Sequence, residues 1–223
     1  MKTLTAMVGT VPIGSGHPIV PQTMCNTHTN DIDATVAQCI RMRDAGAALI
    51  RITCPGLTDV PHMAEIRRRL HEAGVETPLV ADIHFSSATA IAVAPYVEKV
   101  RINPGNFHKD HAEACRQFAQ LVQVCKKNGT AIRIGLNHGS LGQRITDLYG
   151  NTPEAMAKAA MEWLELCIQN DFYIPFKSDV INILHIPIKL LFPRYTIPTV
   201  HLSESRKSRT YLMTTGLMLV VST

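Results

Sequence analysis

Aromatic residues are scarce in this 223-residue sequence, since tryptophan, tyrosine and phenylalanine together make up only 5% of it. Blocks of lysine and arginine are missing as well, and the one basic cluster, Arg67-Arg68-Arg69, falls within a helical pattern. A surface for single-stranded nucleic acid combines stacking aromatics with a basic groove. We therefore expect no nucleic-acid partner, and we interpret the arginine cluster as a solvated helix face.

The sequence also lacks a long apolar run. The run near its carboxyl end, Leu217-Met218-Leu219-Val220-Val221, is far too short to span a bilayer, which takes about 20 residues. The first residues lead into a stretch rich in glycine and proline, with no apolar segment of signal-peptide length. We expect a cytoplasmic protein with no membrane partner.

No two cysteines stand at the close spacing of a metal-binding pair, although the sequence contains six. By spacing alone they predict neither an iron–sulfur cluster nor a structural zinc site in this chain. Four lie in helical patterns, where we expect buried thiols, and two lie at strand ends, where a functional role is the weaker interpretation. The first group is Cys39, Cys115, Cys125 and Cys167, and the second is Cys25 and Cys54.

Strand and helix patterns alternate regularly from residue 19 to residue 183, and 46% of the sequence is apolar, which is enough for a substantial core. This order implies parallel strands joined by right-handed crossovers, either in a closed β/α barrel or in an open doubly wound sheet. Polar residues recur at the carboxyl ends of almost every predicted strand, as in barrel enzymes, and no G-x-G-x-x-G fingerprint follows the first strand. We therefore predict an α/β fold of the TIM-barrel type.

The predicted barrel is incomplete. It comprises about six βα units within residues 1–183, fewer than a closed TIM barrel needs, and residues 184–223 form an irregular, poorly ordered tail. The patterns place extended segments at residues 7–13 and 18–24, and a sixth strand at residues 179–183.

Three short apolar segments each contain an arginine: Arg51, Arg101 and Arg133. An unpaired interior charge is costly, so a buried strand holds an arginine only where something negative meets it. Asp82 is the one strand carboxylate placed to pair with them, and the alternation of side chains puts it on the same face as His84. We predict that the three guanidinium groups converge on a small, highly anionic ligand. The alternative is that each arginine pairs with a local carboxylate as internal scaffolding.

Glycine-rich turns follow two of these segments: Asn103-Pro104-Gly105-Asn106 and Asn137-His138-Gly139-Ser140. Bare backbone N–H groups bind phosphate oxygens well, so the turns favour a phosphate-bearing ligand at the same rim. We expect His84 and His138 to donate hydrogen bonds or protons there. A metal site built from these histidines and His28 is the weaker interpretation, because no pair has helical i, i+4 spacing.

Three segments carry a resemblance to a known family. They are Val80-Ala81-Asp82-Ile83-His84-Phe85, Val100-Arg101-Ile102-Asn103-Pro104-Gly105-Asn106, and Ile132-Arg133-Ile134-Gly135 followed by Asn137-His138-Gly139-Ser140-Leu141. Together with Pro21-Gln22-Thr23-Met24, they resemble 4-hydroxy-3-methylbut-2-enyl diphosphate synthase, and His138 in the last segment resembles the long form of that enzyme. The resemblance covers residues 8–183.

The resemblance implies a β/α barrel that binds methylerythritol cyclodiphosphate, and a separate carboxyl-terminal domain with a 4Fe-4S cluster on three cysteines and a glutamate. It further implies reductive ring opening with electrons from ferredoxin or flavodoxin, in a homodimer, within the non-mevalonate isoprenoid pathway. We assign no catalytic residue and no metal ligand to this chain. The implied substrate-binding residues, with those of the rim turns, are Arg51, Asp82, His84, Arg101, Asn103, Asn106, Arg133, Asn137, His138 and Ser140.

After residue 183 the sequence departs from the family pattern. The family continues its sixth strand with Lys-Ala-Ser-Asn, whereas this chain continues with Leu184-His185-Ile186-Pro187. Neither Lys177 nor Lys189 occupies the matching place, so neither is carried over. We expect the last barrel units and the cluster domain to be absent, through a frameshift or a misjoined exon near residue 183. A divergent tail that completes the fold in another way is the alternative.

Three functions follow from these patterns. The first is the amino-terminal part of the reductive synthase, and the second is a non-catalytic product that binds a diphosphate or does not fold stably. The third is another phosphate-binding barrel of the pterin or aldolase type, but an aldolase needs a Schiff-base lysine at a strand end, and Lys99 begins its strand. Because the reduction belongs to the cluster, we expect the isolated chain to be inactive or nearly so.

Overall fold

The computed structural model describes residues 5–14, 16–172, 181–184 and 218–221. The strands are β1 (Ala6–Val8), β2 (Val11–Ile13), β3 (Gln22–Met24), β4 (Leu49–Thr53), β5 (Leu79–Asp82), β6 (Lys99–Ile102), β7 (Ala131–Gly135), β8 (Ile181–Leu184) and β9 (Met218–Val221). The helices are α1 (Ile32–Asp44), α2 (Val60–Glu72), α3 (Ser87–Val93), α4 (Pro104–Phe107), α5 (His111–Asn128), α6 (Gln143–Tyr149) and α7 (Pro153–Gln169).

One sheet organises these elements. Strands β3 to β7 are adjacent in chain order and pair in parallel, with helices between them. Strand β9 then pairs antiparallel with β7, and β8 pairs antiparallel with β9. Within the described ranges the two edge strands, β3 and β8, do not pair with each other, so the barrel is not closed. The predicted α/β architecture, an incomplete barrel, is confirmed.

The outer face of the sheet is apolar and packs against the helices. Every second residue of the parallel strands points this way, for example Ile52 of β4, Ile102 of β6 and Ile134 of β7. The helices meet these residues with their own apolar stripes, in which Phe118 of α5 and Trp163 of α7 are in edge-on ring contact with centroids 4.9 Å apart. This layer forms the main hydrophobic core.

The inner face of the sheet is apolar only at its amino-terminal end. There Leu49, Val80 and Ala131 pack against Ala6 and Val8 of the β1–β2 hairpin, and all five are buried. We call this small cluster the barrel floor. Above it, towards the carboxyl ends of the strands, the inner face becomes polar and charged, which sets the position of the candidate site.

Local sequence signals define most helix ends. The side chains of Asp31, Ser86, Asp110 and Thr152 accept hydrogen bonds from backbone N–H groups three residues further on, as N-cap residues do. Helix α5 ends at Gly129, whose φ of 68° is in the left-handed region that glycine adopts easily. None of the helices in the described ranges has the length and apolar character that crossing a bilayer requires.

The amino-terminal segment differs from its prediction. Residues 7–13 are predicted as one extended segment, whereas the structure folds them into the antiparallel β1–β2 hairpin. The chain reverses at Gly9, where φ is 57°, a conformation that side chains with a Cβ rarely adopt. The hairpin is therefore able to cover the bottom of the sheet, which a single extended segment does not do.

The carboxyl-terminal strands also differ from their prediction. A strand exists at Ile181–Leu184 and runs in the same direction as β7, but β9 lies between the two. Strand β9 comes from the segment that the sequence analysis treats as irregular. The exposed edge of β7 and the apolar, β-branched character of Met218–Val221 account for this pairing. The division at residue 183 stays a prediction, and residues 179, 180 and most of 184–223 lie outside the described residues.

We predict that Val8→Ala destabilises the protein by about 2 kcal/mol, because it removes two methyl groups from the closely packed barrel floor. Urea denaturation followed by circular dichroism measures this change. The control is Thr10→Ala in the exposed hairpin turn, for which we expect a change below about 0.5 kcal/mol. Equal effects of both substitutions would contradict the role of the hairpin as the floor.

Candidate functional site

Three arginines lie on the inner face of the sheet, on strands β4, β6 and β7. Arg101 is the direct cross-strand neighbour of Arg133 on one side and of Asp82 on the other. Arg51 lies on β4, two residues before Thr53, which is the cross-strand neighbour of Asp82. We call the three arginines with Asp82 the arginine cup. The three arginines therefore share one face of the sheet, and their predicted convergence on an anionic ligand stays a prediction.

Asp82 is the central acid of the cup and is completely buried. Its Oδ2 accepts hydrogen bonds from Arg51 Nη2 at 2.6 Å and lies 2.8 Å from His84 Nε2, while Oδ1 lies 3.4 Å from Arg101 Nη1 without a hydrogen bond. Burial alone would raise the pKa of Asp82, but Arg51, His84 and Arg101 outweigh it, and the pKa is lowered. Asp82 is therefore ionised at neutral pH.

The three arginines are only partly satisfied. The Nε atoms of Arg51, Arg101 and Arg133 are buried and have no hydrogen-bond partner among the described residues. No described carboxylate forms an ion pair with Arg133, and burial together with Arg51 and Arg101 lowers its pKa to about 10. One carboxylate thus faces three guanidinium groups. The scaffolding alternative, in which each arginine has its own acidic partner, is contradicted within the described part of the chain.

Two rim loops pack against each other beside the cup. Asn103 Nδ2 donates to Ser140 Oγ at 2.8 Å, and Asn103 Oδ1 accepts from Gly105 N at 3.2 Å. A Cβ at Gly105 would overlap the carbonyl group of Ser140 and lie 2.9 Å from Gly142 N, so only glycine allows this approach. Asn103 is nearly buried, at 6% exposure, which means that this loop contact is part of the fold.

Gly135 at the end of β7 determines where Arg101 lies. Arg101 Nη2 donates to the carbonyl oxygen of Gly135 at 3.2 Å. A Cβ at Gly135 would lie 3.0 Å from Arg101 Nη2 and 3.1 Å from Cζ, and nearer still to Nε. The guanidinium group therefore rests directly over the glycine, and the missing side chain creates the space it occupies.

The remaining predicted residues line the rim more loosely. His84 contacts the cup through Asp82, and Asn106 is half-buried in α4. Asn137 and His138 are exposed, and Asn137 Oδ1 accepts from Gly139 N at 3.1 Å. The structure therefore groups the predicted residues into a buried charged centre and a more exposed rim. Their roles in binding stay predictions.

Sequence reasoning missed one charged residue of this face, Lys99. It begins β6, two residues before Arg101, and is only 2% exposed. Its Nζ donates to Gln22 Oε1 of β3 at 3.0 Å. Burial, then Arg133 and Arg51, lower the pKa of Lys99 to about 7. The period of two along a strand places Lys99 on the face of Arg101, and that signal was sufficient to find it.

The described cysteines do not fit an iron–sulfur cluster, which requires several converging thiolates. Cys25 Sγ and Cys39 Sγ lie 3.6 Å apart, but no described group of three or more histidine, cysteine or acidic residues is arranged to hold a metal ion. Burial raises the pKa of both Cys54 and Cys167 to about 12, which favours the thiol. Cys115 is partly exposed, contrary to its prediction as a buried thiol.

The parallel sheet with its helices defines a β/α-barrel domain, and charged groups lie on the inner face towards the carboxyl ends of its strands. Residues 3–188 match the model of one such family, the GcpE TIM-barrel domain. The chain belongs to this family. The matched region is slightly wider than residues 8–183, which the motif resemblance covers.

Curated relatives of this family are substantially similar to the chain. The 4-hydroxy-3-methylbut-2-en-1-yl diphosphate synthase (flavodoxin) of Parabacteroides distasonis is 45% identical over 188 residues, covering 77% of this chain and 31% of the relative. The corresponding synthase (ferredoxin) of Synechococcus sp. strain CC9311 is 44% identical over 189 residues, covering 77% and 48%. The chain thus spans 31% and 48% of the length of these two relatives. Among solved structures, an aldolase of Thermotoga maritima has 13% identity and a TM-score of 0.39 over 55% of this chain, which is too distant to support an inference.

We predict that Gly135→Ala displaces the Arg101 guanidinium, because the new methyl group would occupy the position of that group. In nuclear magnetic resonance spectra, the Arg101 Nε–Hε signal should shift, while the fold is retained. Gly139→Ala is the control, since its Cβ would meet only Asn137 Oδ1 at 3.9 Å. An unchanged Arg101 signal in a folded Gly135→Ala protein would contradict the assigned packing.

We predict that Lys99→Met stabilises the protein at pH 7 and does so less at pH 9. The folded-state pKa of Lys99, about 7, lies below its ordinary value of 10.5. Charged Lys99 therefore opposes folding fully at and below pH 7, and the penalty shrinks as pH rises towards 10.5. The gain from the substitution should fall by about 1.4 kcal/mol per pH unit above pH 7.

Denaturant unfolding at pH 7, 8 and 9 tests this dependence, with Lys127→Met at the exposed end of α5 as the control. The control should show little change at any of these values. A gain from Lys99→Met that is equal at pH 7 and pH 9 would show that Lys99 is charged throughout.

Proposed function

We propose that the arginine cup binds the diphosphate group of a small cyclic diphosphate, 2-C-methyl-D-erythritol 2,4-cyclodiphosphate. The chain would then act as the substrate-binding barrel of a 4-hydroxy-3-methylbut-2-enyl diphosphate synthase. The single observation that carries the proposal is the presence of three inner-face guanidinium groups against one buried carboxylate. The names of the curated relatives supply the reaction, the reductive step of the isoprenoid pathway.

Charge balance supports this ligand class. Among the described residues, three guanidinium groups and one ionised carboxylate leave two positive charges uncompensated on the inner face. A cyclic diphosphate has one acidic oxygen on each phosphorus, so it carries two negative charges at neutral pH. The guanidinium fork also matches the geometry of phosphate oxygens, and each charge-assisted hydrogen bond contributes about 1.5–3 kcal/mol.

The unsatisfied Nε donors support the same conclusion. A buried N–H without a partner costs about 1–3 kcal/mol, and the cup contains three such groups. Phosphate oxygens would accept from them and remove that penalty on binding. Asp82 would meanwhile keep Arg51 and Arg101 in place, since it already contacts both.

The rim residues would orient the rest of the ligand. Asn103 and Ser140 hold the two rim loops together, and the N–H groups of Gly105, Asn106, Gly139 and Ser140 donate within those loops. The side chains of Asn106, Asn137 and His138 are left at the mouth of the cup. In this proposal they hydrogen-bond to the hydroxyl and phosphate oxygens of the ring. His84, bound to Asp82, would donate or accept a proton at the edge of the pocket.

A 4Fe-4S cluster would supply the two electrons of the reduction in the whole enzyme of this family. The described residues of this chain bind and orient, and they do not fit the cluster, so we assign the electron-transfer step to none of them. Flavodoxin or ferredoxin as electron donor, named for the relatives, and a homodimer belong to the same proposal for the whole protein.

The second candidate is a chain that binds the cyclodiphosphate without converting it, or that does not stay folded alone. The observation in its favour is that the described residues include charged groups suited to binding a diphosphate but no set of side chains that could hold a metal cluster. Measuring binding and product formation on the same sample separates the two candidates. Turnover by a sample that contains iron and sulfide would favour the enzyme, and binding without turnover would favour the second candidate.

We predict that the chain binds the cyclodiphosphate in calorimetry and that Arg101→Ala or Arg133→Ala weakens this binding by about tenfold to a hundredfold. Each substitution removes a charge-assisted contact worth about 1.5–3 kcal/mol. The matched control is Arg116→Ala, which removes an exposed arginine that pairs only with Glu113 on the same helix. The control should bind like the unchanged protein.

A folded chain that takes up no cyclodiphosphate would overturn the proposed function. Equal weakening by Arg101→Ala and Arg116→Ala would place the binding outside the cup. The absence of a cooperative melting transition would instead support the unstable-chain candidate.

A further inference from the structure

Lys99 lies one layer below the arginine cup and has an unusual environment for a lysine. It is 2% exposed, so water does not solvate its amino group. Its Nζ donates to the amide oxygen Gln22 Oε1 at 3.0 Å, and no described carboxylate forms an ion pair with it. Buried lysines are almost always paired with an acid, so this one requires another explanation.

The charged groups around Lys99 are mostly positive. Arg51 on β4 and Arg133 on β7 both act on it, and Arg101 follows it on the same strand. Asp82 on β5 is the described acid of the inner face. It is the cross-strand neighbour of Arg101, two residues beyond Lys99, and it already contacts Arg51, Arg101 and His84. From below, the barrel floor contributes apolar side chains. Glu98 precedes Lys99 in the chain but pairs with Arg67 and accepts from Leu79 N. Arg51 and Arg133 therefore disfavour the protonation of Lys99, and no described acid pairs with it.

These surroundings keep the amine largely neutral in the free protein above pH 7, because burial and the two arginines lower its pKa to about 7. A ligand with two negative charges would reverse the local field. It would offset the charges of Arg51 and Arg133, and it would favour the protonated form of the buried Lys99 amine below them.

We propose that Lys99 is a positioning residue that accepts one proton from solvent when a doubly charged anion enters the arginine cup. The amine becomes an ammonium ion, no covalent bond to the ligand forms, and Nζ keeps its hydrogen bond to Gln22. The proposal rests on the proposed function, since it requires a diphosphate in the cup. It adds that the protonation of Lys99, below the arginine cup, depends on the charge of the bound ligand.

Protonation linked to binding has a definite sign. Below pH 7 Lys99 is protonated with or without ligand, so binding takes up no proton there. Between pH 7 and the higher pKa of the complex, each binding event takes up as much as one proton, and affinity falls by as much as about tenfold per pH unit. The lysine therefore favours doubly charged ligands over singly charged ones.

Calorimetry with the cyclodiphosphate at pH 8 tests this, in two buffers of different ionisation enthalpy such as HEPES and Tris. The ligand has no group that titrates between about pH 7 and 9, so the difference in heat reports protons taken up by the protein. We expect the unchanged protein to take up between about half and one proton, and Lys99→Met to take up almost none. Binding by Lys99→Met should also lose most of its pH dependence between pH 7.5 and 9.

His84→Gln separates the lysine from the histidine that contacts Asp82. The affinity of this variant falls if His84 contacts the ligand, but the number of protons taken up per ligand bound should stay the same. The 13Cε shift of Lys99 in the unchanged protein, titrated with and without ligand, gives a readout that needs no variant. It should report a higher pKa in the complex.

The outcomes distinguish the two proposals. Binding of the cyclodiphosphate with no proton uptake, or with uptake that persists in Lys99→Met, would overturn the role of Lys99 and leave the proposed function in place. A folded protein without any binding would overturn the proposed function and this inference together. Uptake that disappears in His84→Gln and remains in Lys99→Met would assign the proton to the histidine instead.

Discussion

The site of this protein depends on an imbalance of charge inside an apolar scaffold. In the part of the chain that the structure describes, Arg51, Arg101 and Arg133 share the inner face of the sheet with a single buried carboxylate, Asp82. Removing guanidinium groups from water is costly, and Asp82 compensates only part of that cost. The positive charge of the arginines is therefore only partly compensated, and a bound anion would compensate the rest. The surrounding fold keeps the three side chains in position.

The fold maintains this state by giving the two faces of one sheet different partners. On the outer face, helices α1 to α3, α5 and α7 supply a continuous hydrophobic core. On the inner face, the β1–β2 hairpin covers only the lower part, so the upper part stays polar. Burial of apolar side chains on the outer face thus stabilises the same strands that carry charged side chains on the inner face.

Glycine residues bring the polar groups close enough to act together. Gly135 gives Arg101 the space in which its guanidinium lies, and Gly105 lets the two rim loops touch at Ser140. Lys99 and Gln22 extend the polar part of the inner face down to the barrel floor. Glycines at and after the strand ends therefore leave space for the side chain of Arg101 and for the contact between the rim loops. The charged residues create the positive electrostatic potential of the inner face.

Much of this was predictable from local patterns. The alternation of strands and helices follows from apolar periodicity, and the shared face of the arginines follows from the period of two along each strand. Strand β9 was not predictable in the same way. It pairs with β7, which is far away in the sequence, and no local pattern indicates that partner.

The sequence by itself determined which residues share a face, because side chains alternate along a strand regardless of the rest of the chain. The sequence also identified the family, because the motifs around Asp82, Arg101 and Arg133 resemble those of its members. Only the tertiary structure decided that Asp82 pairs with two of the three arginines, that Cys115 is partly exposed, and that Lys99 is buried with no acidic partner among the described residues. Burial and charge pairing depend on distances across strands, and those distances exist only once the sheet has assembled.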